Sequence, residues 1–393
     1  MRKEHIKAHT GIRGIAAATI ALSHLSHIPL EDIVPRGSFG SLDTHTIFMY
    51  FFSYGWNQVD VFFMLSGFIL GYVYVSDVSN PKINYKDYLV KRLARIVPLH
   101  YLTIFAVGLM VIVAWYFGLP TESNYNLVDL PSQLLMVHAW PYFLSQSWNG
   151  PSWYISISFF AYLFLVPLLF KFVSKMRKSY LLIALSFLVL AMDWALTMTN
   201  TLTDGYGWPA INRVVCQFSI GYLLYSLTTF KNPVSQVASK LVSVWLLLAI
   251  VWIYSRWPLS MVWQGIHNEF PQMISRMLFQ FVFALLILGL ADNKKSLAKT
   301  ILANRFFLWL GTISYSIYMI HIPIGKVIHP FVDKIPDSTW IRILISIGLY
   351  AFVLAASWSI YKFFEVPTRN YVIKFFSKSK ISNKREDSTC FRT

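Results

Sequence analysis

The stretch Gly11–Leu30, GIRGIAAATIALSHLSHIPL, decides the fold because it is a long apolar run that carries an arginine and a histidine. About 20 apolar residues are the length that an α-helix needs to cross a bilayer. Arg13 and His24 are separated by about three helical turns, so they share one face at about 16 Å along the axis. Ionisable groups inside a membrane are costly and mark functional sites by default. We therefore expect a membrane helix with Arg13 near one surface and His24 deep.

The composition extends this expectation to the whole chain. Its 393 residues are 56% hydrophobic and only 13% charged, whereas a soluble domain is about a quarter charged. The apolar runs predict an all-α fold, a polytopic membrane helical bundle of about ten transmembrane helices. A shorter run at 130–146 is expected to be interfacial or re-entrant. The expected spans lie near residues 10–29, 57–76, 98–118, 150–172, 179–198, 211–229, 239–256, 270–291, 306–325 and 340–363.

The basic residues predict the orientation of the bundle. The net charge is +16, but the Lys and Arg residues gather at the ends of apolar runs, so we expect no nucleic-acid partner. Most of them fall on one side if the N- and C-termini are both cytoplasmic, as the positive-inside rule requires. Residues 372–393 form a basic tail that we expect to be disordered and to touch anionic lipid. The two cysteines are far apart and give no metal-binding spacing, so no metal is expected.

Two arginines precede the third expected span. Arg92 and Arg95, in KRLARIVPLHY, are three residues apart and therefore share a helix face. Together with Arg13 they would form a cationic cluster at the cytoplasmic end of the bundle, where guanidinium groups suit phosphate. The alternative is topological, because basic residues before a span are what the positive-inside rule predicts. For the neighbouring lysines we prefer that alternative, and for the two arginines both interpretations stay open.

The opposite end of the bundle is predicted to carry a second histidine. His321, in WLGTISYSIYMIHIPI, is expected at the depth of His24. A lone membrane histidine is often an inert hydrogen-bond partner of a neighbouring helix, but two at one depth favour a functional pair. Asp60 is expected near the same end, on the second span.

Five further residues near the predicted outer surface are candidates for substrate binding: Trp148, Asn149, Trp153, Arg213 and Arg276. The two tryptophans, with the asparagine and a Gly-Pro turn, suit stacking against a sugar ring. Tryptophan at an interface is also a common lipid anchor. The two arginines would bind an anionic acceptor or extend along apolar surface to the interface.

Six motifs in order resemble the acyltransferase-3 family of integral membrane acyltransferases. Any one motif would be weak, because apolar helices match easily, but their order over about residues 8–371 is specific. We expect one acyltransferase-3 membrane domain over residues 1–371. The motifs are GIRGIAAATIALSH from residue 11, VDVFFMLSGFIL at 59–70, RLARIVPLHYL at 92–102, GPSWYISISFFAYLFLVPLL at 150–169, LGTISYSIYMIH at 310–321 and FFEVPTRNY at 363–371.

The resemblance implies a multi-pass enzyme of the bacterial cytoplasmic (inner) membrane. Such an enzyme transfers an acyl group, commonly acetyl, from cytoplasmic acyl-CoA to a hydroxyl of a surface carbohydrate or lipid-linked glycan. His24 matches the essential histidine, which would act as a base or carry the acyl group transiently, and Arg13 matches its paired arginine. Arg92 and Arg95 match an arginine pair that would hold the CoA phosphates.

Two positions depart from the family pattern. Thr10 stands where the family often has aspartate, and Ser158 stands where the fourth-helix motif usually has glutamate. A carboxylate there would orient the base. Either Asp60 orients His24 instead, or this branch works without a carboxylate, or its activity is reduced.

Two other classes of protein fit the apolar composition. A transporter or exporter without an enzymatic step is disfavoured by the few intramembrane acids and by the lack of paired broken helices. A scaffolding membrane protein is disfavoured by the depth of His24 and His321.

Overall fold

The computed structural model describes residues 5–30, 58–74, 85–119, 125–143, 147–172, 184, 188, 206–229, 233–250, 269–292, 294–336 and 338–376. Within these residues every regular element is helical. We number the helices α1 (His5–Leu30), α2 (Gln58–Tyr74), α3 (Tyr85–Tyr116), α4 (Leu130–Leu134), α5 (Gly150–Lys171), α6 (Gly207–Thr228), α7 (Pro233–Lys240), α8 (Val242–Ile250), α9 (Glu269–Leu290), α10 (Leu297–Leu302), α11 (Arg305–Ile328) and α12 (Trp340–Phe376).

Several of these helices are suited to a membrane. Among the described residues, α3, α5, α11 and α12 are long and apolar enough to cross one, and α7 with α8 would add a fifth, bent by 67°. The prediction of an all-helical bundle with membrane-spanning helices is confirmed. The count of about ten spans and the cytoplasmic position of both termini stay predictions. The expected span at 179–198 lies outside the described residues, apart from two isolated positions.

Two helices are longer than the sequence indicates. The third span was expected to begin at residue 98, but α3 begins at Tyr85 and passes through Pro98. Proline removes one N–H donor from a helix, and membrane helices tolerate it because neighbouring groups replace the lost bond. At the other end of the chain, α12 continues beyond residue 371 to Phe376. Tyr371 and Phe375 are one turn apart and stack at 6.5 Å, which supports this extension.

The chain between α3 and α5 contains no helix longer than α4 in its described residues. Buried polar side chains support its irregular backbone. His100 Nε2 donates to the carbonyl oxygen of Gln133 at 2.8 Å, and Gln133 Nε2 donates to the carbonyl oxygen of Ser147 at 3.1 Å. Non-helical backbone at membrane depth is tolerated only where protein buries it. Whether the segment at 130–146 is interfacial or re-entrant stays a prediction.

The closest helix pair is α1 with α11, which run parallel. A Cβ atom added at Gly14 would lie 2.3 Å from the backbone nitrogen of Gly311, and one added at Gly311 would lie 2.0 Å from the carbonyl oxygen of Thr10. Only glycine lets two backbones approach so closely, and small residues of this kind drive helix packing in membranes. The parallel register places corresponding residues of α1 and α11 side by side along their length.

Helices α2 and α6 form a second parallel pair, which also packs closely through glycines. A Cβ atom at Gly67 would lie 1.9 Å from the carbonyl oxygen of Phe218, and one at Gly221 would lie 1.8 Å from that of Met64. The two pairs pack on each other and on α3, α5 and α12, and the site lies between them.

We expect Gly311→Ala to destabilise the bundle by about 1–3 kcal/mol, because the added methyl group overlaps the backbone of α1. The matched control is Gly348→Ala on α12, where an added Cβ meets nothing within 4 Å and alanine favours a helix by up to about 1 kcal/mol. Thermal unfolding of the detergent-solubilised protein measures both. Equal melting temperatures for the two variants would contradict the close contact.

Candidate active site

The contact of α1 with α11 brings two histidines together. Nδ1 of His24 lies 2.9 Å from Nε2 of His321, and the two ring planes differ by only 6°. Nδ1 of His321 lies 3.1 Å from the carbonyl oxygen of Ile317, one turn earlier on α11. His321 is completely buried. The pair expected from the sequence at one depth is therefore a hydrogen-bonded pair in the structure.

The hydrogen bonds assign the tautomer of each ring. A carbonyl oxygen only accepts, so Nδ1 of His321 carries the proton in its bond to Ile317. In neutral His321 the other nitrogen, Nε2, then accepts, and Nδ1 of His24 must donate to it. Neutral His24 therefore keeps its lone pair at Nε2. This series of hydrogen bonds, which begins at the carbonyl oxygen of Ile317, therefore leaves Nε2 as the basic nitrogen of His24.

Three arginines line one cleft at the other end of the same helices. Nη2 of Arg13 donates to the carbonyl oxygen of Gly311 at 2.6 Å. The guanidinium of Arg92 lies over the ring of Tyr162, at 5.9 Å from its centroid. These two arginines and Arg95 line a cleft of about 760 Å³, the open space at its mouth included. The structure thus brings together the cations that the sequence places on α1 and α3.

A buried carboxylate, which the sequence analysis overlooked, lies beside these cations. Glu365 is 3% exposed and accepts a hydrogen bond from Oγ of Ser316 at 2.8 Å. Its electrostatic partners are Arg95, Arg369 and Arg13. It ends a π-helical turn of α12, and such turns are frequent at functional sites. Ionisable groups in apolar runs are costly and mark functional sites. The same argument that identified Arg13 would also have identified Glu365 from the sequence.

Ser158 is also found at the cleft. It lines the wall together with Tyr154, whose hydroxyl it meets through a side-chain hydrogen bond. The position where the family pattern has a glutamate therefore lines the same cleft as the three arginines.

The sequence analysis considered His24 as the partner of Asp60, but in the structure Asp60 pairs with Arg213. Its carboxylate accepts a 2.5 Å hydrogen bond from Nε of Arg213, and both side chains are buried. The same guanidinium lies over the ring of Trp153 at 5.6 Å. Asp60 therefore compensates a buried charge of α6. Nδ1 of His24 donates its hydrogen bond to Nε2 of His321 and not to Asp60.

The turn before α5 places Asn149 against α11. Its Nδ2 donates to the carbonyl oxygen of Met319 at 3.0 Å. That carbonyl lacks its usual helical donor, because Pro323 four residues later has no N–H. Oδ1 of Asn149 is buried and has no hydrogen-bond partner among the described residues. Pro323 is a sequence signal that would have indicated this contact.

The two predicted tryptophans have different environments. Trp148 is 7% exposed and its indole N–H donates to the carbonyl oxygen of Asn126 at 3.0 Å, so its ring is not presented to a sugar. Its φ of +66° is strained for a residue with a side chain, and this backbone leads directly into Asn149. Trp153 is half-buried. Arg276 lies on α9, and its side chain is outside the described part of the chain.

The described residues contain no group of three or more His, Cys, Asp or Glu side chains that could hold a metal ion. Two places where polar groups converge are the histidine pair and the arginine cleft with Glu365. This arrangement suits proton transfer at one place and the binding of an anionic group at the other.

The fold and the site define a multi-helix membrane protein with a hydrogen-bonded histidine pair and an arginine-lined cleft. The model of an acyltransferase domain matches residues 7–362, so the chain belongs to the acyltransferase-3 family. The resemblance drawn from the six motifs is confirmed.

Two curated relatives are similar to the chain. Acyltransferase MdmB of Streptomyces mycarofaciens is 28% identical over 169 residues, which are 42% of this chain and 39% of the relative. The putative peptidoglycan O-acetyltransferase YrhL of Bacillus subtilis (strain 168) is 24% identical over 355 residues, 82% of this chain and 52% of the relative. The aligned parts thus cover about two fifths and about half of the relatives' own lengths. No solved structure matches the chain.

We expect Asp60→Asn to destabilise the protein by about 3–5 kcal/mol, because it leaves the buried guanidinium of Arg213 without its counter-charge. The double variant Asp60→Asn with Arg213→Gln removes both charges, and its loss of stability should be smaller than that of the single change. Thermal unfolding of wild type, Asp60→Asn, Arg213→Gln and the double variant measures this coupling. A loss in the double variant equal to the sum of the two single losses would show that the two side chains do not interact.

Proposed function

We propose that the protein is a membrane acyltransferase that moves an acyl group, preferably acetyl, from acyl-CoA to a hydroxyl of a surface glycan or lipid-linked saccharide. The observation that carries the proposal is the hydrogen-bonded pair of His24 and His321 on the same two helices that bear the arginine cleft. One end suits the phosphates of a CoA thioester, and the other suits removal of a proton.

The donor is held at the arginine cleft. Arg13, Arg92 and Arg95 offer planar guanidinium groups that match phosphate oxygens. Glu365 offsets part of the charge when the cleft is empty, so the three cations can lie close together without a ligand. CoA is long enough for its pantetheine arm to extend from these cations toward His24, about 16 Å away along α1.

The transfer step uses Nε2 of His24 as the base. A sugar hydroxyl is a poor nucleophile, and histidine is suited to accept its proton near neutral pH. The hydroxyl oxygen attacks the carbonyl carbon of the thioester while its proton passes to Nε2. The carbon–sulfur bond then breaks, and the CoA sulfur leaves with that proton as a thiol. The products are the acylated glycan and CoA.

His321 acts as a positioning residue in this scheme. Its Nε2 accepts the proton of Nδ1 of His24, which fixes the ring and keeps the lone pair on the side that meets the acceptor. A carboxylate performs this role in Ser-His-Asp sites. The histidine pair therefore orients the base without a carboxylate.

The acceptor approaches from the end of the bundle that holds Asn149. The unpartnered Oδ1 of Asn149 suits a hydroxyl or amide N–H of a sugar. A relative is named as a peptidoglycan O-acetyltransferase, and a glycan acceptor accords with that name. With the positive-inside orientation, the arginine cleft faces the bacterial cytoplasm, where acyl-CoA is made, and Asn149 faces the outer side of the inner membrane.

The decisive test supplies acetyl-labelled acetyl-CoA to membranes that contain the protein. We expect wild type to transfer label to glycan and His24→Gln to lose at least about a hundredfold in rate, because general-base catalysis contributes about 10²–10⁴. The matched control is His9→Gln on the same helix, whose buried histidine binds the carbonyl oxygen of Ile287 instead. Equal labelling by wild type and His24→Gln would refute the base assignment.

The donor cleft is tested separately. Arg92→Gln and Arg95→Gln should each raise the KM for acetyl-CoA by about ten- to a hundredfold, since a hydrogen bond to a charged group is worth about 1.5–3 kcal/mol. Arg305→Gln, which removes an exposed arginine at the start of α11, serves as the control. An unchanged KM in both cleft variants would exclude these arginines from CoA binding.

A further inference from the structure

The arginine cleft ends at three aromatic rings, here called the aromatic triad: Phe62, Tyr154 and Tyr318. Their centroids are 5.8 Å apart for Phe62 and Tyr154, 6.1 Å for Phe62 and Tyr318, and 5.4 Å for Tyr154 and Tyr318. All three rings line the cleft. They come from α2, α5 and α11, so three separate helices converge at this point.

The triad lies between the cleft and the histidine pair. On α11, Tyr318 is the last cleft-lining residue before His321, and their rings are 5.9 Å apart. On α5, Tyr154 is the first cleft-lining residue after Asn149, and on α2, Phe62 is the first cleft-lining residue of the helix. Each helix thus contributes its lining residue nearest to the histidines. The three rings form the boundary that separates the two halves of the site.

Packing fixes this boundary. The hydroxyl of Tyr154 makes side-chain hydrogen bonds with Ser66 and Ser158. Its ring packs against Phe63 at 4.6 Å between centroids. A close-packed cluster of this kind yields little space without moving its members.

We propose that the aromatic triad selects the acyl group by length and admits acetyl in preference to longer chains. This inference rests on the proposed function. With the CoA phosphates at the arginines, the thioester lies at the far end of the pantetheine arm and meets the triad. The rings must separate for the thioester carbonyl to reach His24. A longer chain has to displace them further, and one methylene that does not fit costs about 10–200-fold in specificity.

The alternative is that the three rings are ordinary core packing and do not meet the donor. In that case the size of Phe62 would affect stability but not the preference among donors. The ratio of kcat/KM for two acyl lengths separates these alternatives, because loss of folded protein cancels in a ratio.

The experiment follows the release of CoA thiol from acetyl-, propionyl-, butyryl- and hexanoyl-CoA by membranes containing the full chain. We expect wild type to lose activity with each added methylene. Phe62→Ala removes one ring of the aromatic triad and so widens the passage between the cleft and the histidine pair. It should raise the butyryl-to-acetyl ratio of kcat/KM at least about tenfold. Phe62→Leu should change the ratio in the same direction by less, and it provides the result if the alanine variant does not fold.

The matched control is Phe68→Ala, on the same helix. Phe68 is a buried phenylalanine that stacks on His9 and does not line the cleft, so its ratio should equal that of wild type. A wild-type ratio in active Phe62→Ala or Phe62→Leu would overturn the selector, as would an equal shift in Phe68→Ala. Failure of wild type to release thiol from any acyl-CoA would instead overturn the proposed function itself.

Discussion

The close parallel contact of α1 with α11 is the constraint on which the rest of the structure depends. Gly14 and Gly311 allow the two backbones to touch, and in a membrane such packing supplies the association that hydrophobic burial cannot. The parallel register then aligns Arg13 with the carbonyl of Gly311 and His24 with His321. A methyl group added between the two backbones would move the helices apart. The hydrogen bond between His24 and His321, at 2.9 Å, would then break because it does not survive such a displacement.

Both buried carboxylates discussed above lie beside arginines. Asp60 pairs with Arg213, and Glu365 lies among arginines. Uncompensated charges in this setting would cost several kcal/mol each. In the proposed function, the cleft where cations exceed acids binds the anionic donor, and the histidine pair transfers the proton.

The sequence predicts the helical class, the family and the three arginines of the cleft, because each of these leaves a local signal in apolar length, motif order or charge. It pairs His24 with His321 by depth, but the hydrogen bond that fixes their tautomers depends on contact between distant helices. The aromatic triad was overlooked for the same reason, whereas Glu365, a glutamate in an apolar run, had a sequence signal that was not used. The partner of Asp60 was also not predictable, since no pattern within α2 indicates that α6 packs parallel to it through Gly67 and Gly221.

The central claim is that a hydrogen bond from His24 to His321 fixes the basic nitrogen of the site. Solid-state NMR of the ¹⁵N-histidine-labelled protein in lipid bilayers tests it most directly. The account predicts a proton on Nδ1 of His24, an unprotonated Nε2 on His321, and a through-space correlation between these two nitrogens that disappears in His321→Ala. A His24 ring protonated at Nε2, with no correlation to His321, would contradict the account.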